Sequence, residues 1–247
     1  MKTHWIDLNC DVGEGVGNEH LLFPHISSCN IACGGHAGDP STMAQTIHLA
    51  QQEGVKIGAH PSYPDRKNFG RLSLDIPAGK LMDSISSQIL SLKTLLDDMN
   101  SPMHHIKAHG ALYNDLAKGG TLAEYYLETI APYRDSALVY APCGSVFARM
   151  ARALGFKVWE EAFMDRAYEP DGSLVSRKLP GSLLTTAEEV GAQLQEMVLH
   201  HRVKCRDGSY FSLEAQTYCL HGDTPNASEI LMYLTESLLG ELIQIRQ

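Results

Sequence analysis

The sequence predicts an α/β fold: a single (β/α) TIM-like barrel, with seven parallel strands, spanning residues 1–247. Three observations lead there. Seven short apolar runs alternate with longer amphipathic stretches, and a strand–helix alternation of this kind packs as a mainly parallel sheet. No composition break, linker or low-complexity tract divides the chain. Polar and ionisable residues stand just past the ends of several different strands, where a barrel gathers its active site.

The strands are expected at residues 5–10, 30–33, 55–59, 105–108, 138–141, 157–160 and 217–220, most of them flanked by Gly, Pro or Asp. Between them the helices carry start and stop signals. Asp39-Pro40 supplies an N-cap and a Pro at the first helical position, and Met43, Ile47 and Ala50 then share a face. Pro77 opens a long helix with Leu81, Ile85, Ile89, Leu92, Leu96 and Met99 at spacings of three and four. Gly144-Ser145 opens another, with Phe147, Met150, Ala151 and Leu154 inward and Gly155 as its stop. Thr185 and Glu188 form a capping-box pattern before Val190, Leu194 and Met197. Thr224-Pro225 starts the last helix, with Ala227, Leu231, Leu234, Leu238 and Leu242 on one side. The stretch 166–182, with Pro170, Gly172, Pro180 and Gly181, is too long for a simple turn, and such loops in compact domains are often functional.

Composition narrows the function classes. With 44% apolar and 20% charged residues the chain is an ordinary globular protein, not a disordered one. Lys+Arg 20 against Asp+Glu 29 leaves a net charge of −9, which argues against nucleic acid and anionic membranes as partners. No run approaches the ~18 apolar residues of a membrane span. The first residues lack an apolar h-region, so no signal peptide is expected. Cysteines at 10, 29, 33, 143, 205 and 219 form no CxxC pair, and reduced, mostly buried thiols in a cytoplasmic protein are the expectation.

The chemistry concentrates at the strand ends. His36, His60, His109 and His221 each follow a different strand. One such histidine is an ordinary cap or loop residue; four suggest a ring of imidazoles around a common mouth. On the first strand Asp7, Asn9 and Asp11 alternate with Ile6, Leu8 and Cys10, so three polar side chains share one face. In a parallel sheet covered on both sides, inward carboxylates need partners or a wet cavity. Glu14 follows in a turn with Gly13, Gly15 and Gly17, which lacks dinucleotide-fingerprint spacing. Lys107 and His109 lie two apart on one strand face, and an interior lysine can hold an anion or, with a lowered pKa, act as a base. The segments His36-Ala-Gly-Asp39-Pro40 and His221-Gly-Asp223-Thr-Pro225 resemble each other; each Asp either caps a helix or helps receive an anion at its N-terminus. Glu160-Glu161 follows the sixth strand, with Asp165-Arg166 close behind. No P-loop, GxSxG elbow or HExxH is present. His105 and His109 would lie about 13 Å apart on a continuous strand, too far for one metal unless the strand ends early. The histidines and carboxylates are types that hold zinc or another divalent ion, but no spacing fixes one.

Six segments then carry a resemblance. They are Asp7-Leu-Asn-Cys-Asp-Val-Gly-Glu14; Asn30-Ile-Ala-Cys-Gly-Gly-His-Ala-Gly-Asp39; Gly58-Ala-His-Pro-Ser-Tyr-Pro-Asp65 with Asn68-Phe-Gly-Arg71; Lys107-Ala-His-Gly-Ala-Leu-Tyr-Asn114; Glu161-Ala-Phe-Met-Asp-Arg166 with Gly172-Ser-Leu-Val-Ser-Arg177; and Cys219-Leu-His-Gly-Asp223. Collinear over residues 6 to 224, they resemble the LamB/YcsF family. The chain departs from the usual family pattern at Cys10, Gly35 and Ala108, where that pattern reads Asn-Ala-Asp, Gly-Phe-His and Lys-Pro-His.

The resemblance implies a barrel related to sugar-deacetylase-like barrels and the A subunit of a bacterial ATP-dependent 5-oxoprolinase, a hydrolase of cyclic amides. Its expected reaction opens 5-oxo-L-proline to L-glutamate, with ATP as co-substrate and subunits B and C as partners; a divalent metal is an open option. The expected catalytic set is Asp7, Asp11, Glu14, His36, His60, Lys107, His109, Glu161 and His221. Asn9, Asp39, Arg71, Asn114, Asp165, Arg166, Arg177 and Asp223 are expected to bind substrate. The general base is not assigned among the carboxylates. Two alternatives stand beside this reading: a metal-dependent amide or deacetylase-type hydrolase without ATP, and a non-catalytic lactam-binding subunit.

Overall fold

A computed structural model describes residues 3–238 and 242–245. Met1, Lys2, residues 239–241, Arg246, Gln247 and the side chains of Ser237 and Leu238 lie outside the described residues, and with them the expected inward side of Leu238 and part of the N-terminal reading.

In chain order the elements are β1 (His4–Val12), α1 (Glu19–Leu22), β2 (Ser28–Ala32), α2 (Pro40–Glu53), β3 (Lys56–His60), α3 (Ala78–Asp98), β4 (His105–Ile106), α4 (Gly110–Ala117), α5 (Thr121–Ile130), β5 (Leu138–Pro142) and α6 (Val146–Ala153). There follow β6 (Val158–Phe163), α7 (Ala187–His200), β7 (Arg202–Lys204), β8 (Tyr210–Ser212), β9 (Thr217–His221), α8 (Ala227–Tyr233) and β10 (Ile243–Ile245). Strands β1 to β6 and β9 pair in parallel, and β9 returns to β1, closing a seven-strand barrel. The predicted fold class is the observed one. β10 pairs with the first residues of β1, and β7–β8 is a separate antiparallel hairpin.

Burial on both faces of β1 explains its alternation. Leu8, Cys10 and Val12 are buried in the apolar layer between barrel and helices, while Asp7, Asn9 and Asp11 are buried in the barrel interior. The outer layer uses the stripes read from sequence: Met43, Ile47 and Ala50 on α2, and Leu81, Ile85, Ile89, Leu92 and Leu96 on α3. Asp39 caps α2, accepting from the Thr42 amide at 2.8 Å, and Ser145 caps α6.

Several elements differ from expectation. β6 extends to Phe163, so Glu160 and Glu161 lie within it and point to opposite sides. The cap of α7 is Thr186 with Glu189, one residue later than read. Leu154 is the C-cap of α6 and is 47% exposed, because the helix has already ended. The last helix starts at Ala227 after a turn at Thr224, gives way to a π-helical turn at Leu234–Leu238, and leaves Leu242 at a bend before β10. Helices α1, α4 and α5, the β7–β8 hairpin and β10 were not expected; α1, β7, β8 and β10 span only three or four residues, too short for a periodic signal. A cleft of about 560 Å³ opens at the opposite, N-terminal end of the barrel, lined by Lys56, Met103, His104 and Leu138, away from the converging ionisable groups.

Candidate active site

The floor of the site is a polar network inside the barrel, set by strand register. Asp11 pairs across to Asn30 on β2 and His221 on β9, and Asn9 to Ser28 and Cys219. Asn30 Nδ2 donates to Asn9 Oδ1 at 2.7 Å and Asp11 Oδ1 at 2.8 Å; Asn9 Nδ2 donates to Glu161 Oε1 at 2.9 Å and Thr217 Oγ1 at 2.7 Å. Beneath Asn30, the His105 ring stacks on Tyr140 at 3.9 Å and fills the space a side chain at Gly58 would occupy.

Lys107 stands at the centre, 2% exposed. Its Nζ lies 2.9 Å from Asp11 Oδ1 and 2.8 Å from Glu161 Oε1, with Cys219 Sγ at 3.2 Å. Burial pushes its pKa down, but the Asp11 charge, the Cys219 sulfur and the Glu161 charge outweigh burial and hold it well above the usual lysine range. Burial likewise pushes the Asp11 carboxyl up, and His60 and Lys107 bring it well below the usual carboxylate range. Lys107 is therefore a charged ammonium shared by two carboxylates. Tyr113 OH donates to the other Glu161 oxygen at 2.6 Å.

Above this floor, Glu14, His36, His60 and His109 converge, with one ligand-type atom of each within 4.8 Å of the others. Glu14 arrives on the turn of Gly13, Gly15 and Gly17, all at positive φ. β4 does end early, at Ile106, which turns His109 up to the ring; His105 stays below on Asn30. Burial drives the His109 pKa well below the usual histidine range, and burial also lowers His36 despite its bond to Glu14. Phe69, at φ 56°, accepts from His109 Nε2 through its carbonyl at 3.0 Å, and its ring packs edge-on against His36 and His109. Asp11, Cys219 and His221 form a second convergent group beside the first.

The rim carries a dyad and a cationic cluster. Asp165 is fully buried and accepts from the His221 amide at 3.0 Å, His221 Nδ1 at 2.9 Å and Thr224 Oγ1 at 2.5 Å. Burial raises its pKa, and the His221 charge and these bonds more than reverse that. Arg71 reaches over the Phe69 ring and pairs with Asp223 at 2.5 Å; Arg177 lies 3.7 Å from the same carboxylate. Arg166 is 7% exposed and donates to the Val175 and Ser182 carbonyls. Burial first, then Arg177, brings its pKa to about 10. Two guanidiniums on one Asp223 carboxylate, with the charge of Arg166 close to both, leave positive charge for an anionic ligand.

The family model of the LamB/YcsF family matches residues 6–247. This chain belongs to the LamB/YcsF family. Its fold is similar to that of the lactam utilization protein from Thermus thermophilus, at 32% identity and a TM-score of 0.88, covering 98% of this chain and 99% of that one. A β-N-acetylhexosaminidase from Streptomyces coelicolor matches at only 10% identity and a TM-score of 0.48, over 98% of this chain and 64% of that one.

Against the LamB/YcsF pattern, Gly35 has a physical reason: a Cβ there would lie 2.3 Å from Ser62 Oγ and 2.4 Å from Gln88 Oε1. The buried Gln88 amide, bonded to the Ser62 backbone at both ends, takes up that space. Not every expected site residue joins the cluster. Asp7 lies four residues below Asp11, about 13 Å along the strand, and accepts from Ser28 and Thr217. Asp39 caps α2 in the open, and Asn114 is exposed on α4. Four participants were missed: Asn30, Tyr113, Phe69 and Cys219. Asn30 was legible in principle as the register partner of Asp11. The inward turn of Tyr113, one residue from Asn114, had no sequence signal.

Proposed function

We propose that this protein is the A subunit of an ATP-dependent 5-oxoprolinase, opening the lactam of 5-oxo-L-proline to L-glutamate with conversion of ATP to ADP and phosphate, in a complex with subunits B and C. Membership of the LamB/YcsF family and the likeness to a lactam utilization protein support a role in lactam use. The observation that carries the reading is the stacked arrangement itself: a buried Asp11–Lys107–Glu161 charge network, proton-handling imidazoles above it, and three arginines at the rim.

A lactam is a resonance-stabilised amide. Phosphorylation of its oxygen by ATP makes the carbon an electrophile; water adds there, the ring C–N bond breaks to release the amine, and a second water releases phosphate. Proton transfer at the adding water and departing nitrogen falls to Asp11 and to the Asp165-held His221. Arg71, Arg166 and Arg177 face the substrate carboxylate or the phosphoryl group. Exposed Val16, Leu72 and Leu179 lie on strand-to-helix loops of the same barrel face and suit contact with subunits B and C. The reading places the protein in the cytoplasm, consistent with six free cysteines.

Glutamate release from 5-oxoproline plus ATP, with this chain alone and with candidate subunits, tests the proposal. Near-zero turnover alone and ATP-dependent turnover in the complex is the expected result. The imidazole–carboxylate cluster favours a second reading, a metal-dependent amide hydrolase; amide hydrolysis by the isolated chain with no requirement for ATP would establish that reading instead.

A further inference from the structure

We propose that His60, His109 and Glu14 hold a divalent transition-metal ion at the C-terminal mouth of the barrel. His60 Nδ1 lies 2.9 Å from the Lys107 carbonyl, and His109 Nε2 lies 3.0 Å from the Phe69 carbonyl. A carbonyl only accepts, so each of these nitrogens carries the ring proton. The remaining nitrogens, His60 Nε2 and His109 Nδ1, then present lone pairs, and they face each other at 2.9 Å with the rings nearly perpendicular at 86°. Around them stand two more acceptors: Asp11 Oδ2 at 3.3 Å from His60 Nε2, and Glu14 Oε1 at 3.4 Å from His109 Nδ1. Four acceptors converge, and no donor hydrogen is left between the two imidazoles.

Such a cluster needs either a shared proton or a cation, and its spacing suits a cation. Ligands about 2.0–2.2 Å from an ion lie roughly 2.9–3.5 Å from each other in octahedral or tetrahedral arrangement; His109 Nδ1 has this spacing to both His60 Nε2 and Glu14 Oε1, and all three atoms lie within 4.8 Å of one another. The backbone carbonyls behind both imidazoles are the outer partners that fix metal-ligating histidines. His36 plays a different part. Its ring is stacked on His109 at 3.6 Å and 4° from parallel, so its lone pair cannot aim at the same point. Its Nε2 instead bonds Glu14 Oε1 at 2.9 Å and positions that carboxylate. Two imidazoles and one carboxylate leave coordination positions open, as catalytic sites do, and an ion there supplies Lewis acidity toward a carbonyl oxygen.

The proposal is independent of which amide the protein acts on and is tested by binding. Full-length protein is stripped with a chelator and titrated with Zn²⁺ or Co²⁺, reading stoichiometry by elemental analysis, cobalt d–d absorption and thermal shift. One equivalent per chain, with a raised Tm, is expected. His109→Gln and His60→Gln should each lose it, while circular dichroism confirms folding. His36→Gln should keep the stoichiometry with affinity reduced about 10–100-fold. Absence of stoichiometric binding by the wild-type protein means that a shared proton joins the two imidazoles and overturns the proposal. Unchanged binding in a folded His60→Gln/His109→Gln double variant places the metal elsewhere and overturns it equally.

Discussion

Replacing Lys107 by Met removes the one ammonium that lies between Asp11 and Glu161. Its Nζ is 2.9 Å from the first carboxylate and 2.8 Å from the second, whose side chains are 5% and 0% exposed. Methionine matches the length and apolar body of lysine, so packing changes little. The loss is electrostatic: two buried carboxylates face each other without their shared counter-ion. Breaking a buried pair from one side costs about 3–5 kcal/mol. In a chain of this size each kcal/mol moves Tm by roughly 2–4 °C, so the variant should melt about 6–20 °C below wild type. Calorimetry at neutral pH measures this directly. The double variant Lys107→Met/Glu161→Gln removes one stranded charge and should recover part of the loss, which distinguishes charge from packing. A Lys107→Met protein melting within about 2 °C of wild type, with no gain from the second substitution, would show that the ammonium is not the counter-ion of this network. It would leave Lys107 as a ligand-binding group only.

Three further expectations follow from particular contacts. Tyr113→Phe removes a 2.6 Å bond to the Glu161 carboxylate, and unfolding should show a loss of about 1.5–3 kcal/mol; no change would mean that water replaces the hydroxyl. For Asp7, burial raises the folded pKa above its ordinary value despite bonds from Thr217 and Ser28, and its Oδ1 has no partner. A folded pKa above the unfolded one means that stability falls as pH rises through the window beginning near about 3.9. Asp7→Asn should therefore gain in Tm relative to wild type between pH 4 and pH 8, with turnover of the complex unaffected; a constant difference across that range would refute the sign. Asp165→Asn replaces the charged acceptor of His221 Nδ1 by a neutral amide and should lower kcat of the reconstituted complex about 100-fold with a smaller change in KM, a wild-type rate excluding the dyad from the chemistry.

The barrel, its seven strands and the mouth at their C-terminal ends were legible because period and position along the chain encode them. Alternation on β1 marked Asp7, Asn9 and Asp11 as facing one side, and the helix stripes marked the other. The sequence also named most of the residues that converge, since His36, His60, His109 and His221 each end or follow a strand. What it left open was which of them touch. Asp7 and Asp11 share a face of one strand, yet only Asp11 reaches Lys107, because pleat spacing separates them by about 13 Å of barrel depth. Asp39 and Asp223 sit in similar segments, yet one caps a helix and the other meets Arg71, because α2 starts directly after Asp39 whereas the turn at Thr224 delays α8 to Ala227. Arg71, Arg166 and Arg177 meet only because the long loop after β6 folds back through Tyr168 and Val175 onto the rim. Strand identity is a local property of periodicity, whereas register, depth and loop closure depend on contacts between residues far apart in the chain. The charge network, the imidazole ring and the arginine rim are all made of such contacts.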